Sequence, residues 1–181
     1  MKQLMITALG AILALLATLS APALAVAGDD LKAKLRGFEE VAAGSGSVST
    51  QASGTFRGEI NNHGTEIDFE LTYQGLEGTV TQGHIHLGQR GVAGGISVWL
   101  CQTAAPFLDP AGLAKTCPQS GTVEGTIAAA NVIGPTGQGI AAGEFAELVR
   151  AIRGGVTYAN VHSTKFPTGE IREQIKADDD D

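Results

Sequence analysis

The chain has 181 residues, of which 43% are hydrophobic, 17% charged and 5% aromatic, with 25 glycines and a formal net charge of −7. An acidic balance without a basic cluster repels phosphate backbones and excludes nucleic acid as a partner class. Apolar residues are too abundant and too regularly placed for a disordered chain, and this length predicts one domain with one core.

Met1-Lys2-Gln3 opens with one positive charge, and the apolar run Leu4–Leu19 follows. Ser20-Ala21-Pro22 then breaks the run before small-residue strings that end at Ala25 and Ala27. That order is the pattern of a secretory signal peptide, expected over residues 1–27 with cleavage after Ala25 or Ala27. Pro22 and the small residues speak against a retained membrane anchor, and no cysteine precedes Cys101 to carry a lipid. The expectation is an exported protein, periplasmic or secreted, with no stable membrane insertion after signal cleavage.

A β domain is expected over residues 28–176. From Asp29 to Val41, Leu31, Ala33, Leu35 and Gly37 alternate with Lys32, Lys34 and Arg36, the period of a strand with one wet face. Thr55–Ile60 and Thr65–Tyr73 flank the turn sequence Asn61-Asn62-His63-Gly64 and predict a hairpin; His63 belongs to its solvated loop. Glu66, Asp68 and Glu70 face outward on the second strand, and Glu39, Glu40 and Glu77 read the same way. Further strands are predicted at Thr79–Leu87, Gly95–Gln102, Gly121–Ala128, Val156–Ser163 and Glu170–Lys176, most of them separated by glycine-bearing turns. Trp99 on the second of these is expected in the core. In Gly143–Arg153, Phe145, Leu148, Val149 and Ile152 recur at helical spacing, with Glu144 and Glu147 early, Arg150 and Arg153 late, and Gly154 as a stop. Thr103–Cys117 reads as a loop, and residues 177–181 as an acidic disordered tail. The predicted fold class is all-β: a Greek-key-like β-sandwich or barrel with one short amphipathic helix before the last two strands.

Cys101 and Cys117 have 15 residues between them. In an exported chain they predict a disulfide, against the alternatives of two buried thiols or two metal ligands at an unusually long spacing.

Gly83-His84-Ile85-His86-Leu87 is the most pointed local signal. On a strand, His84 and His86 share one face while Ile85 and Leu87 take the other. Tyr158, Asn160 and His162 share a face in the same way. If the two strands meet, three imidazoles converge, a good donor set for zinc or copper. Glu170 would then be a fourth ligand or a group fixing a tautomer. The plainer alternative is a structural network in which Asn160, Glu170, Arg172 and Tyr158 satisfy the histidines and hold the last strands in register. There is no Gly-x-Ser-x-Gly elbow, no phosphate-cradling glycine loop and no evident acid–base pair, so no catalytic residue is assigned.

These segments also form a family pattern. Leu31-Lys32-Ala33-Lys34-Leu35-Arg36-Gly37, Gly83-His84-Ile85-His86-Leu87-Gly88 with Gly94-Gly95-Ile96, and Tyr158-Ala159-Asn160-Val161-His162-Ser163 running into Phe166-Pro167-Thr168-Gly169-Glu170-Ile171-Arg172 resemble the CHRD (chordin-type) domain. The resemblance covers about Asp30 to Ile175 and looks like a single-domain exported bacterial version. It implies a β-rich extracellular module with a non-enzymatic binding or structural role in the cell envelope or outside the cell, and an envelope or extracellular protein or glycan as partner. The alternative is a zinc- or copper-binding protein, redox-active with copper, built on His84, His86 and His162.

Overall fold

The structure is a computed structural model that describes residues 28–41, 46–103 and 108–178. The expected signal peptide and the last three residues of the acidic tail lie outside the described residues. Among the described residues, ten strands and one α-helix follow in the order β1 Asp30–Arg36, β2 Ser53–Ile60, β3 Ile67–Gln74, β4 Val80–Leu87, β5 Gly95–Gln102, β6 Lys115–Thr116, β7 Gly121–Ile127, α1 Phe145–Arg153, β8 Thr157–Ser163, β9 Ile171–Gln174 and β10 Lys176–Asp178. They build a single sheet in the order β6-β5-β4-β8-β9-β1-β2-β3-β7, with β10 also beside β1. Every pairing is antiparallel except the short β5–β6 contact. Because β7 comes back against β5, the sheet nearly closes on itself. The fold is of the predicted all-β sandwich-or-barrel class, in the form of a nearly closed, barrel-like sheet.

Alternation fills its interior. Leu31, Ala33 and Leu35 of β1, Phe56 and Ile60 of β2, and Ile67 and Leu71 of β3 are at most 3% exposed. Val98 and Leu100 of β5, Ala159 and Val161 of β8, and Ile171 of β9 join the same cluster. Helix α1 packs as its sequence dictates: Phe145, Leu148, Val149 and Ile152 are buried with that core, while Arg150 and Arg153 stand at its last turn.

Cys101 and Cys117 form a disulfide that ties β5 to the end of the 103–117 loop. That loop also carries β6, too short to be seen as a periodic pattern. The first strand is shorter than the predicted Asp29–Val41 span. After Arg36 the chain makes a 3-10 turn over Gly37–Glu39, since Glu40 N–H donates to the Gly37 carbonyl. Glu40, expected on a solvated face, is thereby turned inward and is 3% exposed. At the other end, Ala177 and Asp178 pair with Leu31 and Asp30, so the sheet runs two residues past the expected boundary.

Candidate functional site

The chemistry lies outside the barrel, on the reverse side of β4 and β8. Their register sets Gln82 opposite His162, His84 opposite Asn160 and His86 opposite Tyr158, so one strand's alternation meets the other's. Ile85, Ala159 and Val161 face inward to the core, and the polar residues are left outside. Yet His84 is fully buried and His86 and His162 are only 7% and 6% exposed. Two stretches of chain cover them. One is the β4–β5 connection, where His86 Nδ1–H donates to the Gly94 carbonyl at 3.0 Å and Gly94 N–H donates to the Tyr158 hydroxyl at 3.1 Å. The other is the β8–β9 connection, where His162 Nδ1–H donates to the Pro167 carbonyl at 2.9 Å.

Both covers depend on glycine. A Cβ on Gly94 would stand 1.8 Å from the Leu87 carbonyl oxygen. A Cβ on Gly169, at φ +127°, would stand 2.4 Å from a carboxylate oxygen of Glu40. Neither approach is open to a residue with a side chain.

At the centre is Asn160. Its Oδ1 lies 3.1 Å from His86 Nε2 and 2.9 Å from His162 Nε2, and its Nδ2–H reaches Glu40 at 3.4 Å. His84 Nδ1 is 3.2 Å from His162 Nε2. The other nitrogen of His84, Nε2, is buried without a hydrogen-bond partner. The rings pack closely: His84 meets the Trp99 indole edge to face at 4.3 Å, and His86 stacks on Tyr158 at 4.7 Å with 2° between planes. Trp99, expected in the core, instead lies on this outer side because β5 places it opposite His84. The Arg172 guanidinium sits over the Tyr158 ring at 3.4 Å from its centroid, a cation–π contact.

Burial keeps the imidazoles neutral. It drives His86 and His162 down to about 4, and His84 well below the usual histidine value, where the neighbouring rings push the same way. Burial raises the Glu40 carboxyl, against the hydrogen bonds from Val41 N–H and Asn160 that favour its charge. It also raises the Tyr158 phenol and lowers Arg172.

Six of the seven predicted residues gather here: His84, His86, His162, Asn160, Tyr158 and Arg172. The seventh, Glu170, does not. It is fully buried in a separate network, accepting from Thr50 Oγ1 at 2.9 Å, Glu77 N–H at 2.8 Å and Ser163 Oγ at 2.5 Å. Its carboxylate hydrogen-bonds to no described histidine, and Arg172 donates instead to the Gln89 carbonyl and Gln174. Glu40 and Trp99 are the members that pattern reading missed. The Gly-Phe-Glu-Glu sequence at Gly37 was the available signal for Glu40, since a glycine after alternating residues marks a place where a strand can turn. His63 is exposed in its turn and takes no part.

The donor set suits a transition metal as well as a hydrogen-bond network, since one ring nitrogen from each histidine lies within 4.8 Å of the others. Among the described residues no helix is long and apolar enough to cross a membrane. Comparison with models of known families matches residues 31–175 to the CHRD domain. No curated protein and no solved structure matches the chain.

Proposed function

The chain belongs to the CHRD domain family, and on that premise we propose that it is exported and works as a non-enzymatic binding or structural module in the cell envelope or outside the cell. The observation that carries this reading is the burial of its reactive side chains. The imidazoles, Glu40 and Glu170 are all covered, and their contacts hold chain to chain rather than facing a cleft. A general acid or base must reach the proton it moves, and these groups open onto no cleft that would hold an organic substrate. The disulfide supports an oxidising destination, where exported thiols pair. An envelope or extracellular protein or a glycan is the partner class for such a surface.

The test is to express the full chain in a bacterium and fractionate the cells. The expected product is periplasmic or extracellular, starts at Val26 or Gly28, and contains oxidised Cys101 and Cys117. Retention in the cytoplasm with the leader intact would overturn the export. Turnover of any substrate that is lost in a His84→Ala or His162→Ala variant would overturn the non-enzymatic role.

A further inference from the structure

We propose that His84, His86 and His162 form a closed site for a copper or zinc ion, completed by the carbonyl oxygen of Asn160. The inference rests on a count of protons and lone pairs. His86 and His162 each commit Nδ1–H to a backbone carbonyl, Gly94 and Pro167 respectively. A neutral imidazole has one N–H, so both Nε2 atoms are bare lone pairs. Both point at Asn160 Oδ1, which is also an acceptor, at 3.1 and 2.9 Å. His84 can offer a single proton to this group, from Nδ1 to His162 Nε2 at 3.2 Å. That choice leaves His86 Nε2 and Asn160 Oδ1 facing each other with nothing between them. Buried acceptors brought together without a donor are costly, unless a cation joins them.

The spacing fits that cation. Four donors around an ion with bonds of ~2.0–2.1 Å stand about 3.3 Å apart along the edges of a tetrahedron. Three of the six edges, 2.9, 3.1 and 3.2 Å, lie just inside that value, and the histidine nitrogens all stand within 4.8 Å of one another, so the donors would draw together on binding. The surroundings also match what metal-bound imidazoles need: the non-ligating nitrogen held by a carbonyl in two of the three rings, and a carboxylate, Glu40, orienting the amide that supplies the oxygen. The ligand atoms are then Nδ1 of His84 and Nε2 of His86 and His162. Imidazoles without thiolate suit copper and zinc rather than magnesium or calcium. The donors are uncharged and Arg172 is close by, so a monovalent copper ion leaves less charge uncompensated than zinc does.

One metal-free arrangement satisfies the same atoms. With the Asn160 amide turned over, its two N–H groups would donate to the two Nε2 atoms, and Glu40 would need a proton to face the amide oxygen. The two arrangements differ in what the nitrogens do, which makes them separable in the wild-type protein.

The experiment takes mature exported protein stripped with a chelator and titrates it with zinc chloride or, separately, with copper(I) held as its bicinchoninate complex. Nitrogen-15 spectra of the histidine rings are followed throughout. The expected result is one ion per chain, a raised melting temperature, and shifts at His84 Nδ1, His86 Nε2 and His162 Nε2 while the two Nδ1–H signals persist. Affinity falls roughly tenfold or more in His86→Ala and Asn160→Ala. Binding by either ion with those shifts supports the site and names its metal. The site is refuted if neither ion binds stoichiometrically, if ions bind without moving these nitrogens, or if both Nε2 atoms accept from the Asn160 amide in protein that takes up no metal. The spectra need no variant, so misfolding of a histidine variant does not blunt the test. A negative result would leave the exported-module reading standing.

Discussion

The inside of the barrel and the layer outside β4 and β8 are equally dry and built on opposite terms. Inside, Phe56, Ile67, Leu71 and Ile85 are all fully buried and ask only for volume and contact. Outside, His84, Asn160, Glu40 and Arg172 are buried too, but each requires a partner at a set distance and angle. An apolar core tolerates approximate complementarity. A buried polar layer does not, because one missing proton leaves several atoms unsatisfied.

The largest consequence of that contrast is a dependence on acid that the interior cannot cause. In chelator-treated protein, His86 and His162 have folded values of about 4, below the ordinary histidine value near 6.5 in the unfolded chain. Between those limits the unfolded state holds more protons. Stability is therefore full above about pH 6.5 and falls as the pH drops towards 4, by about 3 kcal/mol for each ring. Glu40 opposes this, since its raised carboxyl is relieved by acid, while Tyr158 stays neutral and Arg172 stays charged through the window. Urea unfolding at pH 7.5, 6 and 4.5 measures the slope; a flat profile would mean that the layer is wet.

Phe56→Ala should cost about 3–5 kcal/mol through lost contact and cavity. Its effect should not change with pH between 7.5 and 4.5, because the ionisable core residue Tyr73 stays neutral throughout that range. Parallel stability curves for wild type and variant check this, and converging curves would show that the two regions are coupled. Next comes the disulfide. Cys101→Ala with Cys117→Ala should lower stability by about 3 kcal/mol from loop entropy, with the same acid slope retained. The smallest effect belongs to His63→Ala. That ring is exposed in a turn, and thermal melts of the variant should agree with wild type to within about 0.5 kcal/mol.

The same contrast explains what was legible beforehand. Strand periodicity is a local property, so Leu31, Ala33 and Leu35 announce both a strand and its inner face. The shared face of His84 and His86, and that of Tyr158, Asn160 and His162, followed from the same rule. So did the helix, whose apolar stripe from Phe145 to Ile152 is complete within nine residues. The disulfide followed from compartment and spacing.

The rest depended on approaches between distant parts of the chain. Glu40 looks like any surface acid until the Gly37–Glu39 turn brings it against Gly169 and Asn160. Trp99 alternates with two core residues, and only the pairing of β5 with β4 decides which side its indole takes. Glu170 shares a segment with Arg172, yet its carboxylate serves Thr50, Glu77 and Ser163, which no local pattern joins to it. Strand pairing fixed the place of Trp99, and contacts between segments far apart in sequence fixed those of Glu40 and Glu170.

The imidazoles of His86 and His162 each have one nitrogen fastened to a covering loop and the other turned to Asn160. The two ends of a rigid five-membered ring cannot be adjusted separately. A half-turn of either ring would take its Nδ1–H away from the Gly94 or Pro167 carbonyl at the same moment as it removed Nε2 from the centre. The rings are rivets through two layers of chain, and the outline that the module shows its surroundings is set by atoms that those surroundings never touch.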